Sequence, residues 1–330
     1  MNRAYVISKY KMFLRFSSFL DKFDKDNRVR IVYLLTINGR ASRQVRRLIK
    51  QLYDGRNYFY IHVDSRQDYL YREMKNIESK FPNNIYVTPN RWATIWGGAS
   101  LLSMLTDCFK TLLKKTDWNW DFVLNLSESD YPLKKRDDLI AFLSSNRDKN
   151  FVKSHGRDPS EFLRKQGKLV RKQGKYIKIH NSRINIYVCC ISMSYIYLCM
   201  SYTSLGLDKT FFECEAHMWR LGNRRLPQGI QMDGGSDWIC LNKEFVSYVV
   251  NDNDQLIEGL RTLFSYTLLP AESFFHTTLR NSKFCSTYVN NNLHLTNWKR
   301  HLGCKCQHKA VVDWCGCSPN GNLFLISSLI

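Results

Sequence analysis

Through the first half of the chain, short apolar runs with strand character alternate with segments of helical period. Val29–Thr36, Tyr58–Val63, Asn84–Thr88, Phe122–Leu126 and Asn150–Lys153 read as strands. Between them Ser42–Leu52, Asp68–Lys80, Gly98–Leu113 and Asp137–Ser145 carry apolar residues at helical spacing. The links are short. Such alternation leaves few solutions, and the main one is an α/β fold with a mostly parallel, twisted sheet flanked by helices. Sheets of this kind bind ligands outside the carboxyl ends of their strands. Asp64 and the loop after Leu126 lie at such ends. At 330 residues with 44% apolar content, the chain can bury one large core or two modest ones.

The alternation resumes late in the chain. A glycine-rich acidic loop, Pro227 to Asp237-Trp238, leads into a strand at Ile239–Leu241. Helical spacing follows over Lys243–Val250 and Gln255–Tyr266. Asp233 and Asp237 are candidates for binding a metal or sugar hydroxyls, or for shaping a tight turn. In between lies an anomaly. From Ile184 to Leu207 no residue is charged, a length that suits a membrane span. Lys175, Lys178 and Arg183 flank only one side, and Ser, Thr and Asn recur within it. The string Arg164-Lys-Gln-Gly167-Lys is repeated at Arg171-Lys-Gln-Gly174-Lys. The region reads as an insertion foreign to the fold. Residues 1–28 are basic, too interrupted for a signal peptide or anchor, and expected to be poorly ordered.

The net charge of +20 predicts attraction to something acidic, such as a nucleotide diphosphate, an acidic polypeptide, an anionic membrane or nucleic acid. No nucleic-acid-binding motif accompanies it. Four of the 11 cysteines cluster as Cys304-Lys-Cys306 and Cys315-Gly-Cys317. Structural zinc favours two to four residues within each ligand pair. A single intervening residue instead favours disulfides over zinc, in an oxidising compartment; if outer pairs with outer and inner with inner, the bridges are Cys304–Cys317 and Cys306–Cys315.

Two features carry chemistry. Arg91-Trp-Ala-Thr94-Ile95-Trp96-Gly-Gly98 precedes a helix, with glycines that give a bound nucleotide room. Farther on, Glu272 stands alone in Tyr266-Thr-Leu-Leu-Pro-Ala-Glu-Ser-Phe-Phe-His276. An isolated carboxylate among Leu268, Leu269, Phe274 and Phe275 is costly to desolvate unless it is used. Burial raises its pKa, which suits a general base working near neutral pH. The alternative is a helix start, with Pro270 in the first turn and Glu272 at the positive end of the dipole.

Taken in order, these motifs resemble the protein O-xylosyltransferases, relatives of the branching β-1,6-N-acetylglucosaminyltransferases. The matching runs include Tyr60-Ile-His-Val-Asp64, Ala93 to Leu102, Ser154-His-Gly-Arg-Asp158 and Ala216-His-Met-Trp-Arg-Leu-Gly222. Asp233-Gly-Gly-Ser-Asp-Trp238, the Glu272 segment, and Gly303-Cys-Lys-Cys306 through Val312 to Asn320 complete them. The resemblance implies a GT-A-like glycosyltransferase domain over 29–320, ending in a small disulfide-knotted element. It implies transfer of xylose from UDP-xylose to serine of proteoglycan core proteins, with inversion, which starts heparan and chondroitin sulfate chains. Glu272 would be the base. Thr36, Asp64, Thr94, Ile95, Trp96, Asp237, Trp238 and Ser318 would contact the donor. Acidic Ser-Gly segments would be the acceptors. The setting would be the lumen of the Golgi or endoplasmic reticulum, in type II membrane proteins whose anchor is not expected in this chain. The family is not expected to need a structural metal. Mg²⁺ or Mn²⁺ is conceivable, yet Asp24-Lys-Asp26 and Asp252-Asn-Asp254 are poorly placed for a diphosphate, and Glu128-Ser-Asp130 is the one acidic pair at a strand end.

Against that family pattern, Lys168–Gly206 is surplus and the tail Gly321–Ile330 is unlike it. The Arg-Lys pair that grips the diphosphate in family members, and their further domain, are expected to be missing from this chain. The expectation is a truncated form with impaired activity; its alternative is a non-catalytic remnant that still binds a sugar nucleotide or an acidic polypeptide.

Overall fold

The run Ile31–Ile37, apolar but for Thr36, forms strand β1, and its sequence explains its place. A strand covered on both faces reads as a continuous apolar run. Its two neighbours are parallel: β2 (Tyr58–Val63) on one side and β4 (Phe122–Ser127) on the other. The computed structural model describes residues 28–39, 42–154, 207–215, 217–251, 253–297 and 321–324. Among these, seven strands form the main sheet in the order β10-β6-β9-β4-β1-β2-β3. Here β3 is Ile85–Val87, β6 Asn150–Ser154, β9 Gly235–Asn242 and β10 Tyr288–Asn290. Only β9 runs against the others, antiparallel to both β4 and β6. The mostly parallel α/β expectation therefore holds.

Successive residues of β1 serve opposite layers, as strand geometry demands. Ile31, Tyr33, Leu35 and Ile37 pack with α1 (Ser42–Leu52), α2 (Asp68–Glu78) and α4 (Arg136–Ser144). Val32 and Leu34 face α3 (Ala99–Lys114), α5 (Lys243–Asn251), α6 (Gln255–Phe264) and α7 (Phe274–Asn281). Leu207, the last residue of the uncharged run, is fully buried in this second layer. The rest of that run lies outside the described residues, as do the basic amino terminus, the four-cysteine cluster and Ser318. No helix among the described residues is long and apolar enough to cross a membrane.

Several strands escape the periodicity reading. A hairpin of β7 (Lys209–Cys214) and β8 (His217–Asn223) precedes the glycine-rich loop. Strand β5 (Asp130–Pro132) lies inside what the sequence presents as a loop. In the tail, β12 (Gly321–Phe324) pairs with β5 and with β11 (His294–Asn297). Each is short and partly polar, so tertiary pairing rather than periodicity creates it.

Candidate active site

The carboxyl ends of β1 and β2, and the loop after β3, bring Thr36, Asp64 and the Thr94–Trp96 turn to one edge of the sheet. Strand β9 enters at the same edge because it runs in reverse. Asn125 of β4 fastens it there: its Nδ2 donates to the Asp237 carbonyl (2.8 Å) and its Oδ1 accepts from Ile239 N (2.7 Å). Gly235 is required here, since a Cβ would lie 1.8 Å from the Lys153 carbonyl oxygen.

Glu272 reaches this edge through a 3-10 turn, Pro270–Glu272, that packs on β9 and on the start of α3. Leu269 opens the turn with φ of 52°, in the left-handed region that costs a side-chain-bearing residue about 1–2 kcal/mol. The strain is held by tertiary contacts. Leu269 N donates to the Gly97 carbonyl (2.8 Å), tying the glutamate turn to the tryptophan turn. Gly97 has a φ of +77°, with Leu268 at 3.0 Å from where a Cβ would stand. Pro270 opens this turn and Glu272 ends it, just ahead of the α-helix that starts at Phe274, so the helix-start placement is present together with the placement at the sheet edge.

The two site carboxylates interact. Burial first, and then the charge of Asp237, push the Glu272 carboxyl well above the usual carboxylate range. Burial, with Asp130 adding its charge, lifts Asp237 to about 6. Two carboxylates close enough to oppose each other's ionisation are a hallmark of proton-transfer sites.

Asp64 is differently placed. Its buried carboxylate is gripped by Arg66, Nε to Oδ1 at 2.7 Å and Nη2 to Oδ2 at 2.6 Å. Burial pushes this carboxyl up, but the Arg66 bonds outweigh it and hold it below its ordinary value. Arg66 Nη2 also donates to the Thr94 carbonyl (2.8 Å). Arg91 adds bonds to the carbonyls of Asp64 and Ser65. Trp92 N donates to Nε2 of buried His62 (2.9 Å); burial lowers this ring to about 4 and keeps it a neutral acceptor. The turn thus presents Trp96, 42% exposed, on a framework of internal bonds.

Several expectations change. Asp233 is not open to a ligand: it pairs with Arg280 Nε (2.7 Å), both side chains 7% exposed, and accepts from Ser154 Oγ (2.5 Å). The start of α3 is occupied from within the chain, as Glu213 Oε2 accepts from Ser100 N (2.9 Å) and lies over Gly98. Of the acidic pair at the strand end, Glu128 accepts from Asn38 N (2.8 Å), and Asp130 Oδ2 accepts from Ser127 N and Oγ. Protein donors thus occupy Glu128 and one oxygen of Asp130. Asp254 caps α6 through Leu256 N. Arg66, Asn125 and Glu213 are contributors that motif reading passes over. Asn125 alone leaves a signal, as the polar residue in an otherwise apolar strand.

Glu213→Ala removes an anionic cap contributed by another element. The expected loss is about 1 kcal/mol of stability, read from the denaturant midpoint. A change below about 0.3 kcal/mol would mean that the helix start is satisfied without it.

The Core-2/I-Branching enzyme family pattern matches residues 31–321. The chain is 54% identical over 299 residues to "Xylosyltransferase oxt" of Drosophila melanogaster, covering 90% of this chain and 30% of that protein. It is 50% identical to human "Xylosyltransferase 1" over 294 residues and to human "Xylosyltransferase 2" over 292, about nine-tenths of this chain in each case. It spans only 26% and 29% of those two proteins.

Proposed function

This chain belongs to the Core-2/I-branching enzyme family, and we propose that its site transfers xylose from UDP-xylose to serine in acidic Ser-Gly segments of proteoglycan core proteins. In this reading residues 29–320 form a GT-A-like catalytic unit, interrupted by a foreign segment at about 168–206. The observation that carries it is the meeting of Glu272 and Asp237 at the strand edge beside the Trp96 turn.

Glu272 is the base of the proposed mechanism. It takes the proton of the serine hydroxyl as the oxygen forms its bond to the anomeric carbon from the face opposite UDP. The bond from that carbon to the diphosphate oxygen breaks, and UDP leaves with the electron pair. An α-linked donor yields a β-xyloside, so a single base suffices. Burial raises the proton affinity of Glu272 toward that of a useful base. In this assignment Asp237 holds sugar hydroxyls, Asp64 and Thr36 lie toward the nucleoside, and Thr94, Ile95, Trp96 and Trp238 wall the donor. Ser318 and the two disulfides of the cysteine cluster belong to the same proposal. So does the secretory-pathway lumen as its setting.

The test is release of UDP from UDP-xylose with an acidic Ser-Gly peptide. Turnover is expected to decline on acidification as Asp237 and Glu272 take protons, with the acid limb of kcat near pH 6 or above. A flat rate from pH 5 to 8 would remove these carboxylates from the chemistry. Calorimetric binding of UDP-xylose without any turnover would favour the non-catalytic alternative.

A further inference from the structure

Asp130 is a carboxylate that the proposed mechanism leaves unused, and it is among the most enclosed of the described residues, at 2% exposure. One oxygen, Oδ2, accepts from Ser127 N (2.5 Å), Ser127 Oγ (2.9 Å) and Trp238 Nε1 (3.3 Å). The other, Oδ1, is buried, has no hydrogen-bond partner among the described residues, and stands 3.9 Å from Nε2 of His294. The His294 ring in turn lies against the Trp238 indole, with centroids 5.9 Å apart. Trp238 directly follows Asp237 in β9, and the Asn125 bonds clamp the backbone on both sides of it.

A buried charge with a half-satisfied carboxylate is expensive to keep for packing alone. Two consequences follow from its place. Its bond to Nε1 sets the direction of the indole, and with it the segment that presents Asp237. Its charge also reaches Asp237 across the sheet edge. We propose that Asp130 is a positioning residue that aims the Trp238 indole at the donor pocket and biases the Asp237–Glu272 pair by its charge. The proposal rests on the transferase reading of the site. The groups that bear on the pair are Asp130 from β5, Asp237 from β9, Glu272 from the 3-10 turn and, behind Asp130, His294 from β11.

The two roles separate by substitution. Asp130→Asn keeps an acceptor for Ser127 and Trp238 but removes the charge. Asp130→Ala removes both. In UDP-release assays the acid limb of kcat is expected to move down by about one pH unit in both variants, because ionising the pair no longer opposes a third carboxylate. The KM for UDP-xylose is expected to rise about tenfold in Asp130→Ala and to change little in Asp130→Asn, the loss expected of one interaction of about 1.4 kcal/mol. A folded Asp130→Asn protein with its limb unmoved overturns the charge role, and equal KM values in the two variants overturn the positioning role. Should neither fold, Ser127→Ala, which loosens only one anchor of Asp130, must still raise KM two- to threefold. An unchanged KM there overturns the proposal. Wild-type turnover abolished by Glu272→Gln is the control on the underlying reading. If the wild type binds UDP-xylose but does not turn over, the catalytic reading falls alone, and the same variants are scored by the pH dependence of UDP-xylose affinity. No binding at any pH overturns both.

Discussion

Glu272→Gln is expected to abolish turnover and, at pH 7, to make the protein more stable. The first effect follows from losing the base. Proton transfer by a positioned side chain contributes about 10²–10⁴-fold, so UDP release should fall by at least that much. The second follows from linkage. The folded carboxyls of Glu272 and Asp237 titrate above their unfolded values, Asp237 at about 6. Between about pH 4 and that range the native state binds more protons than the unfolded state. Stability from these groups is therefore fully present below about pH 4 and is lost as pH rises through the folded values. At pH 7 the unfolded glutamate is ionised, whereas burial and the charge of Asp237 disfavour that ionised form in the native state, and a neutral glutamine relieves this cost. A gain of about 0.5–2 kcal/mol is expected, the range of substitutions that relax a functional site. The gain should vanish near pH 4. Denaturant melts of both proteins at pH 4 and pH 7, alongside the UDP-release assay, check it. A destabilised variant at pH 7 would mean that Glu272 is held by structural bonds, as the helix-start reading of this segment has it.

The largest stability effect is expected at Arg280. Its guanidinium is paired with Asp233 in a nearly closed interior and rests on the Tyr288 ring, 4.1 Å from its centroid. Arg280→Ala leaves the Asp233 charge buried and unpaired, which costs about 3–5 kcal/mol. Removing both charges in an Asp233→Asn, Arg280→Met protein should recover most of the loss, because the desolvation of both ions disappears with their attraction. Denaturant midpoints of the single and double variants decide it. A single-variant loss under about 1 kcal/mol would show that water reaches the pair. Asp233 also accepts from Gly234 N and bonds Thr277 in both directions. The single variant should therefore also disorder the loop that delivers Asp237, and its turnover should fall with its stability.

Asp233 and Asp237 mark where the order of residues stops determining the site. Four residues apart in one glycine-rich loop, they invite the same functional reading. The structure gives one to an internal ion pair and the other to the sheet edge beside Glu272. The difference lies in Arg280, 47 residues downstream of Asp233, and no local pattern reveals it. The α3 amino terminus behaves the same way, since Glu213 comes from 113 residues away to fill it. Asp130 and His294 are 164 positions apart along the chain and meet only through the small sheet.

Sequence alone determined the α/β layering, because burial on both faces of a parallel strand demands unbroken apolar runs and burial on one face of a helix demands its period. It also singled out Glu272, since an isolated carboxylate among large apolar side chains has a cost visible in the chain itself. Only the tertiary structure decided which carboxylates stand together, which are neutralised and which keep a raised proton affinity. Those outcomes depend on charges and donors brought within a few ångströms by folding, and electrostatic energy in a poorly solvated site depends on that distance and on nothing in the order of residues.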